Sequence, residues 1–210
     1  MKIRMEVDLR NSLLQVRDQG ARPTCLAHAL TISHEHVLGS KFLLSPEYLH
    51  YFSTGGALGL GCSADAAMAA LKADGQPRED ACPYFALPPT DEWSPPKHVV
   101  VFRRNSALLK PRAELVSQAV RDGRVPVIGI SLPRSFFAPT RPWVILPGTD
   151  IRGLHAVAAV GVGDGEVGTV VLVRNSWGSA WGDRGHAYLT QEFLQAHLKC
   201  AIILEAGEVS

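Results

Sequence analysis

The chain is poor in the features that mark several large protein classes. Four cysteines in 210 residues, scattered at Cys25, Cys62, Cys82 and Cys200, are too sparse for a secreted disulfide scaffold. No CxxC pair suggests zinc, and His34 and His36 lack the i, i+4 spacing of a helical metal pair, so no metal and no cofactor are expected. Basic runs are absent. The 21 Lys and Arg against 20 Asp and Glu leave a net charge of +1, which argues against nucleic acid as a partner. The longest apolar stretches, 125–132 and 156–162, are too short to span a bilayer. Met1–Asp8 has no apolar core and does not read as a signal peptide. These absences lead to the expectation of a cytoplasmic protein with reduced cysteines, or one delivered to another cell as an effector.

What remains is an ordinary globular composition, 46% hydrophobic and 20% charged, long enough for a substantial core. Residues 1–18 alternate apolar and charged positions, as an extended surface segment would. Thr24 reads as the N-cap of a buried helix that starts at Cys25 and stops at Gly39. Ser45-Pro46 opens a second helix and Ser63 a third, Ala64 to Ala73. Gly55–Gly61 between them predicts a turn that brings backbone close to a ligand. After a Pro-rich crossing, 81–97, the pattern changes to strands at 99–101, 125–132, 156–162 and 169–173, with helices at 113–122 and 191–197. The plan is α+β in a single domain, 1–210, with a helical lobe near 10–95 and a β-rich lobe near 96–210.

Three segments carry chemistry. Cys25 stands in the first turn of its helix, where the helix dipole and free N–H groups favour a thiolate. Gly153-Leu154-His155-Ala156 places a histidine at the head of an apolar strand. Arg174-Asn175-Ser176-Trp177-Gly178 places an asparagine at the end of the next. If those strands pair, His155 and Asn175 meet at one end of the sheet. An imidazole there takes the thiol proton, and an amide on its other nitrogen holds ring and tautomer.

With Gln19-Gly20, Cys25-x-Ala27 and Leu44-Ser45-Pro46-Glu47-Tyr48-Leu49, these motifs resemble the papain-like cysteine peptidases. Asn175-Ser176-Trp177-Gly178-x-x-Trp181-Gly182-x-x-Gly185 is their most specific part. His155 follows Cys25 by 130 positions, within the separation usual for that family. The resemblance implies a two-lobe fold, a helical N-terminal lobe and an antiparallel sheet or barrel, with the active site between them. It implies Cys25 as nucleophile, His155 as acid and base, Asn175 as its orienter, and Trp177 as a shield over their hydrogen bond. Gln19, with the Cys25 N–H, would form the oxyanion hole. Gly59 and Gly61 would contact substrate backbone, and Ala156 and Trp177 would help line the substrate site.

The family usually has Cys-Gly-Ser-Cys-Trp at the nucleophile. Arg22-Pro23-Thr24-Cys25-Leu26 replaces it here and deletes one disulfide partner, which suggests a divergent, bacterial-type and intracellular branch. The long helical propeptide usual in the family is not read ahead of this segment either, so a propeptide-less member is expected. The expected partner is a peptide or protein substrate, with no membrane and no nucleic acid; a regulatory partner is left unidentified. Two rival readings are acyl transfer to an amine by the same triad, and a catalytically idle peptide-binding domain.

Overall fold

Strand β1 (Arg4–Asp8) opens the chain in the computed structural model, which describes residues 2–89 and 93–208. It alternates exposed and half-buried positions and pairs antiparallel with residues 161–164, so the extended N-terminal segment is laid along the sheet. Helix α1 (Cys25–Leu38) is buried from Leu26 to Glu35. It ends at Gly39, whose φ of 60° is a left-handed conformation that a Cβ would disfavour. Helix α2 (Pro46–Thr54) starts where Ser45 Oγ accepts from the Tyr48 N–H at 3.1 Å and Pro46 needs no donor partner. Helix α3 (Ala64–Ala73) repeats the cap, with Ser63 Oγ accepting from the Ala66 N–H at 3.2 Å.

The rest is mostly sheet. In order come β2 (Gln76–Pro77), β3 (Val101–Phe102), β4 (Arg104–Leu109), α4 (Ala113–Arg121), β5 (Val127–Pro133), β6 (Val144–Ile145), β7 (Ile151–Gly165), β8 (Gly168–Arg174), β9 (His186–Thr190), α5 (Gln191–His197) and β10 (Leu198–Glu208). Apart from the separate β2·β3 pair, the strands run in the order β4-β10-β5-β7-β8-β9-β6, with β1 also on β7. All of these pairings are antiparallel except β6·β9.

Two expectations change here. Strands β4, β9 and β10 escape a reading by propensity, because Arg104-Asn105-Ser106 is polar and β10 follows α5 without any turn residue. Their partners across the sheet supply the missing stability. Strand β7 also begins at Ile151, so His155 is its fifth residue rather than its head. The exposed start, 151–154, lacks the burial that makes 155–163 recognisable.

The period of two sends neighbouring residues to opposite faces of the sheet. Val127, Ala156 and Ile202 face α1 and α3 and pack with Leu26, Leu30, Leu49 and Leu71. Ile128, Ile130 and Val157 face the other way, onto Phe136, Phe193 and α4. Burying each leucine or isoleucine contributes about 1.5–3 kcal/mol. The fold is α+β and two-lobed, and β7 is buried from both sides where it carries the histidine.

Candidate active site

The Cys25 loop is tied down from three directions. Residues 17–19 run against 176–178: the Gln19 N–H donates to the Ser176 carbonyl at 2.8 Å, and the Gly178 N–H to the Arg17 carbonyl at 3.0 Å. Arg22 is buried and forks onto the buried Glu47 of α2, with Nη2 at 2.9 Å from Oε1 and Nη1 on Oε2. Nη1 also donates to the Phe85 carbonyl at 2.9 Å. The position where the resembled family has a half-cystine thus carries a bidentate ion pair. All four cysteines are free thiols.

Thr24 departs from its expected role. Its hydroxyl makes no cap hydrogen bond, and its backbone (φ −103°, ψ 14°) is not the extended form a cap requires. Tyr84 explains this. The Tyr84 hydroxyl donates its one hydrogen to the Gln19 carbonyl at 2.8 Å, so the Thr24 hydroxyl donates to Tyr84 at 2.9 Å. The first N–H groups of α1 are left without a side-chain cap, beside the Cys25 sulfur.

Cys25 is half-buried. Burial pushes its thiol pKa up, and backbone N–H groups of Ala156, Leu26 and Cys25 itself oppose that shift without cancelling it. The helix-terminus argument from sequence is therefore outweighed by desolvation when the thiol is considered alone.

Across from it, His155 Nε2 lies 2.7 Å from Asn175 Oδ1. The Ser176 N–H also donates to Oδ1, at 2.8 Å, which fixes the amide's orientation. Oδ1 only accepts, so His155 carries its hydrogen on Nε2 and keeps a basic lone pair on Nδ1. The residues come together because β7 pairs with β8, and Asn175 is the first residue past β8. Trp177 covers the ring with centroids 4.6 Å apart and is itself stacked by Phe137; Phe136 meets His155 from another side. Burial lowers the His155 pKa to about 4, against the raising effect of its bond to Asn175.

Burial opposes a lone charge on either Cys25 or His155. A proton passed from one to the other would create both charges together, and opposite charges on one cavity would offset part of each other's burial.

Cys25, His155, Ala156 and Gly61 line one cavity of ≈ 370 Å³. Gly59 is exposed outside its lining, and Trp177 sits behind His155 rather than on the cavity. Gln19 is buried, with Nε2 donating to the Arg22 carbonyl at 2.7 Å and Oε1 accepting from Ser176 Oγ at 2.6 Å. One Nε2 hydrogen remains uncommitted among the described residues. Sequence reasoning missed Tyr84, Glu47 and Ser176 as supports, and Gly129, Leu154, Lys199 and Cys200 as lining. Ser176 and Leu154 stand inside the Asn175 and His155 segments, and Glu47 is a carboxylate among the apolar residues of α2; the others leave no local signal.

A family model described as papain family cysteine protease matches residues 3–205. The chain belongs to the papain family. Cathepsin K of Gallus gallus is 30% identical over 188 residues, 86% of this chain and 56% of that protein. The chain therefore spans a little over half the length of that relative. Among solved structures, xylellain, a cysteine protease from Xylella fastidiosa, matches with a TM-score of 0.82 at 20% identity, over 98% of this chain and 87% of the other. The ragweed pollen allergen Amb a 11 in its proform matches at 0.77 and 23%, over 99% and 66%. At such identities the two structures share this papain-family fold.

Proposed function

We propose that the protein hydrolyses peptide or related amide bonds through a thioester on Cys25. The observation that carries the reading is the 2.7 Å His155–Asn175 hydrogen bond, which leaves the Nδ1 lone pair as a base on the cavity that Cys25 lines. Cys25 gives its proton to His155, and its sulfur attacks the substrate carbonyl carbon. The resulting oxyanion sits against the Cys25 N–H and the free amide hydrogen of Gln19. His155 then protonates the departing amine as the C–N bond breaks. In the second half His155 takes a proton from water, whose oxygen displaces the sulfur and releases the acid.

The test is mass spectrometry after treatment with a peptidyl epoxide at neutral pH, beside hydrolysis of peptide amides. Single alkylation at Cys25, lost in His155→Ala, is expected. Burial pushes Cys62 up to about 11 and raises Cys82 and Cys200 too, so those thiols stay protonated and slow. Labelling spread over several cysteines, or no peptide hydrolysis, would count against the reading.

A further inference from the structure

The floor of the cavity beside Cys25 is a row of small groups. In the sheet register Cys200 of β10 lies opposite Gly129 of β5, and Gly129 opposite Ala156 of β7. One row across three strands thus offers a thiol, a hydrogen and a methyl. Gly129 has to be small, since a Cβ there would lie 2.6 Å from Cys200 Sγ. Leu154, 75% exposed, stands over this floor as one wall. The result is a slot with a largely apolar lining that crosses three adjacent strands, about 10 Å at the usual strand spacing, room for an extended side chain.

A single formal charge marks this slot. Lys199 precedes Cys200 on β10 where the register slips, two steps of β10 from Leu198 to Cys200 matching one of β5. Strict alternation therefore does not turn it to the far face. It lines the slot, is exposed, and forms no ion pair among the described residues. Apart from it and the His155 ring, the lining is apolar, thiol or hydroxyl. Low-dielectric walls focus the field of a lone ammonium into such a cavity.

We propose that this cavity selects a glutamate-type side chain of the substrate, its stem on the Cys200–Gly129–Ala156 row and its carboxylate at Lys199. The proposal rests on the hydrolytic reading of Cys25 and His155, which fixes where the substrate lies. A leucine fills the slot but leaves the ammonium without a partner, and a lysine meets like charge. Because Lys199 is solvent-exposed, the preference for Glu over its isostere Gln is modest, roughly fivefold, the upper end for an exposed pair.

The experiment uses fluorogenic peptide amides carrying Glu, Gln, Leu or Lys in turn at each of the three positions before the scissile bond. They are assayed with the unaltered protein, Lys199→Gln and Lys199→Glu. At one position Glu should exceed Gln in kcat/KM by about fivefold. The ratio should fall to unity in Lys199→Gln and turn in favour of Lys in Lys199→Glu. A Glu:Gln ratio unchanged in Lys199→Gln, or no Glu preference at any position, overturns the proposal. Cys25 alkylation by Glu- and Gln-bearing peptidyl epoxides reads the same choice without turnover. Lys199-dependent preference there, with no peptide hydrolysed, sinks the hydrolytic reading and keeps the selectivity. Hydrolysis without any Lys199-dependent choice does the reverse.

Discussion

Ser176 donates its hydroxyl to Gln19 Oε1 at 2.6 Å, across 157 positions of sequence. The residue after the orienting asparagine thus holds the amide proposed for the oxyanion hole. With Oε1 fixed by Ser176 and one Nε2 hydrogen on the Arg22 carbonyl, the amide has one orientation and one free donor.

That arrangement predicts a kinetic signature. Gln19→Ala should lower kcat by roughly 10²–10³ while KM barely moves, because the donor matters only once charge develops on the carbonyl oxygen. Ser176→Ala, which loosens the amide without removing it, should cost about tenfold, the worth of one hydrogen bond. Gln19→Glu should be at least as harmful as Gln19→Ala. Steady-state kinetics on a cleaved peptide amide decide this, and an unchanged kcat in Gln19→Ala would place the oxyanion hole elsewhere.

Cys25→Ala and His155→Ala should each abolish turnover and leave the near-UV circular dichroism intact. Asn175→Ala should be milder, since it misorients the base without deleting it. Near-normal activity in either of the first two variants would refute the assigned roles.

The Arg22–Glu47 pair predicts an asymmetry in stability. Arg22→Ala strands a carboxylate that is 0% exposed, and should cost about 3–5 kcal/mol in urea unfolding. Replacing both partners, Arg22→Met with Glu47→Leu, should restore most of that loss, because no buried charge is left alone. A double variant no more stable than Arg22→Ala would show that shape rather than charge pairing anchors the loop.

Acid should unfold the protein through its buried histidines. Burial lowers His28 to about 3, and His34, His155 and His186 to about 4. In the unfolded chain these rings titrate near 6.5. The unfolded state therefore binds more protons between those limits, and stability rises with pH there. It is fully present above about 6.5 and lost as pH falls towards 4, with up to ~1.4 kcal/mol per pH unit from each ring. Urea midpoints measured across that range test it; a flat profile contradicts neutral burial of the four rings.

How far the sequence is legible follows from how local each signal is. Ser45, Pro46, Ser63 and Gly39 mark helix ends within four residues of the groups they satisfy, and the structure places those ends accordingly. The Asn175 motif is equally local. Thr24 misleads because its competitor for the hydroxyl, Tyr84, lies 60 positions away. The cavity floor is illegible for the same reason: only strand register puts Cys200, Gly129 and Ala156 side by side. Likewise the depth at which Cys25 is buried, which reverses the expected direction of its pKa, depends on the whole sheet behind it.

The pairing of the N-terminal segment with the late sheet bears on how the protein is made. Strand β1 needs residues 161–164, and the Gln19 loop needs Ser176 and Gly178. The Asn175 N–H is itself held by the Gly185 carbonyl. A chain leaving the ribosome exposes Cys25 early, yet cannot set it against His155 until β7, β8 and the 176–185 segment have followed. Contacts of such long sequence separation form late. The nascent chain therefore carries its thiol for a long stretch without His155 and Asn175 beside it, and the site comes together only after residues 151–185 have been made.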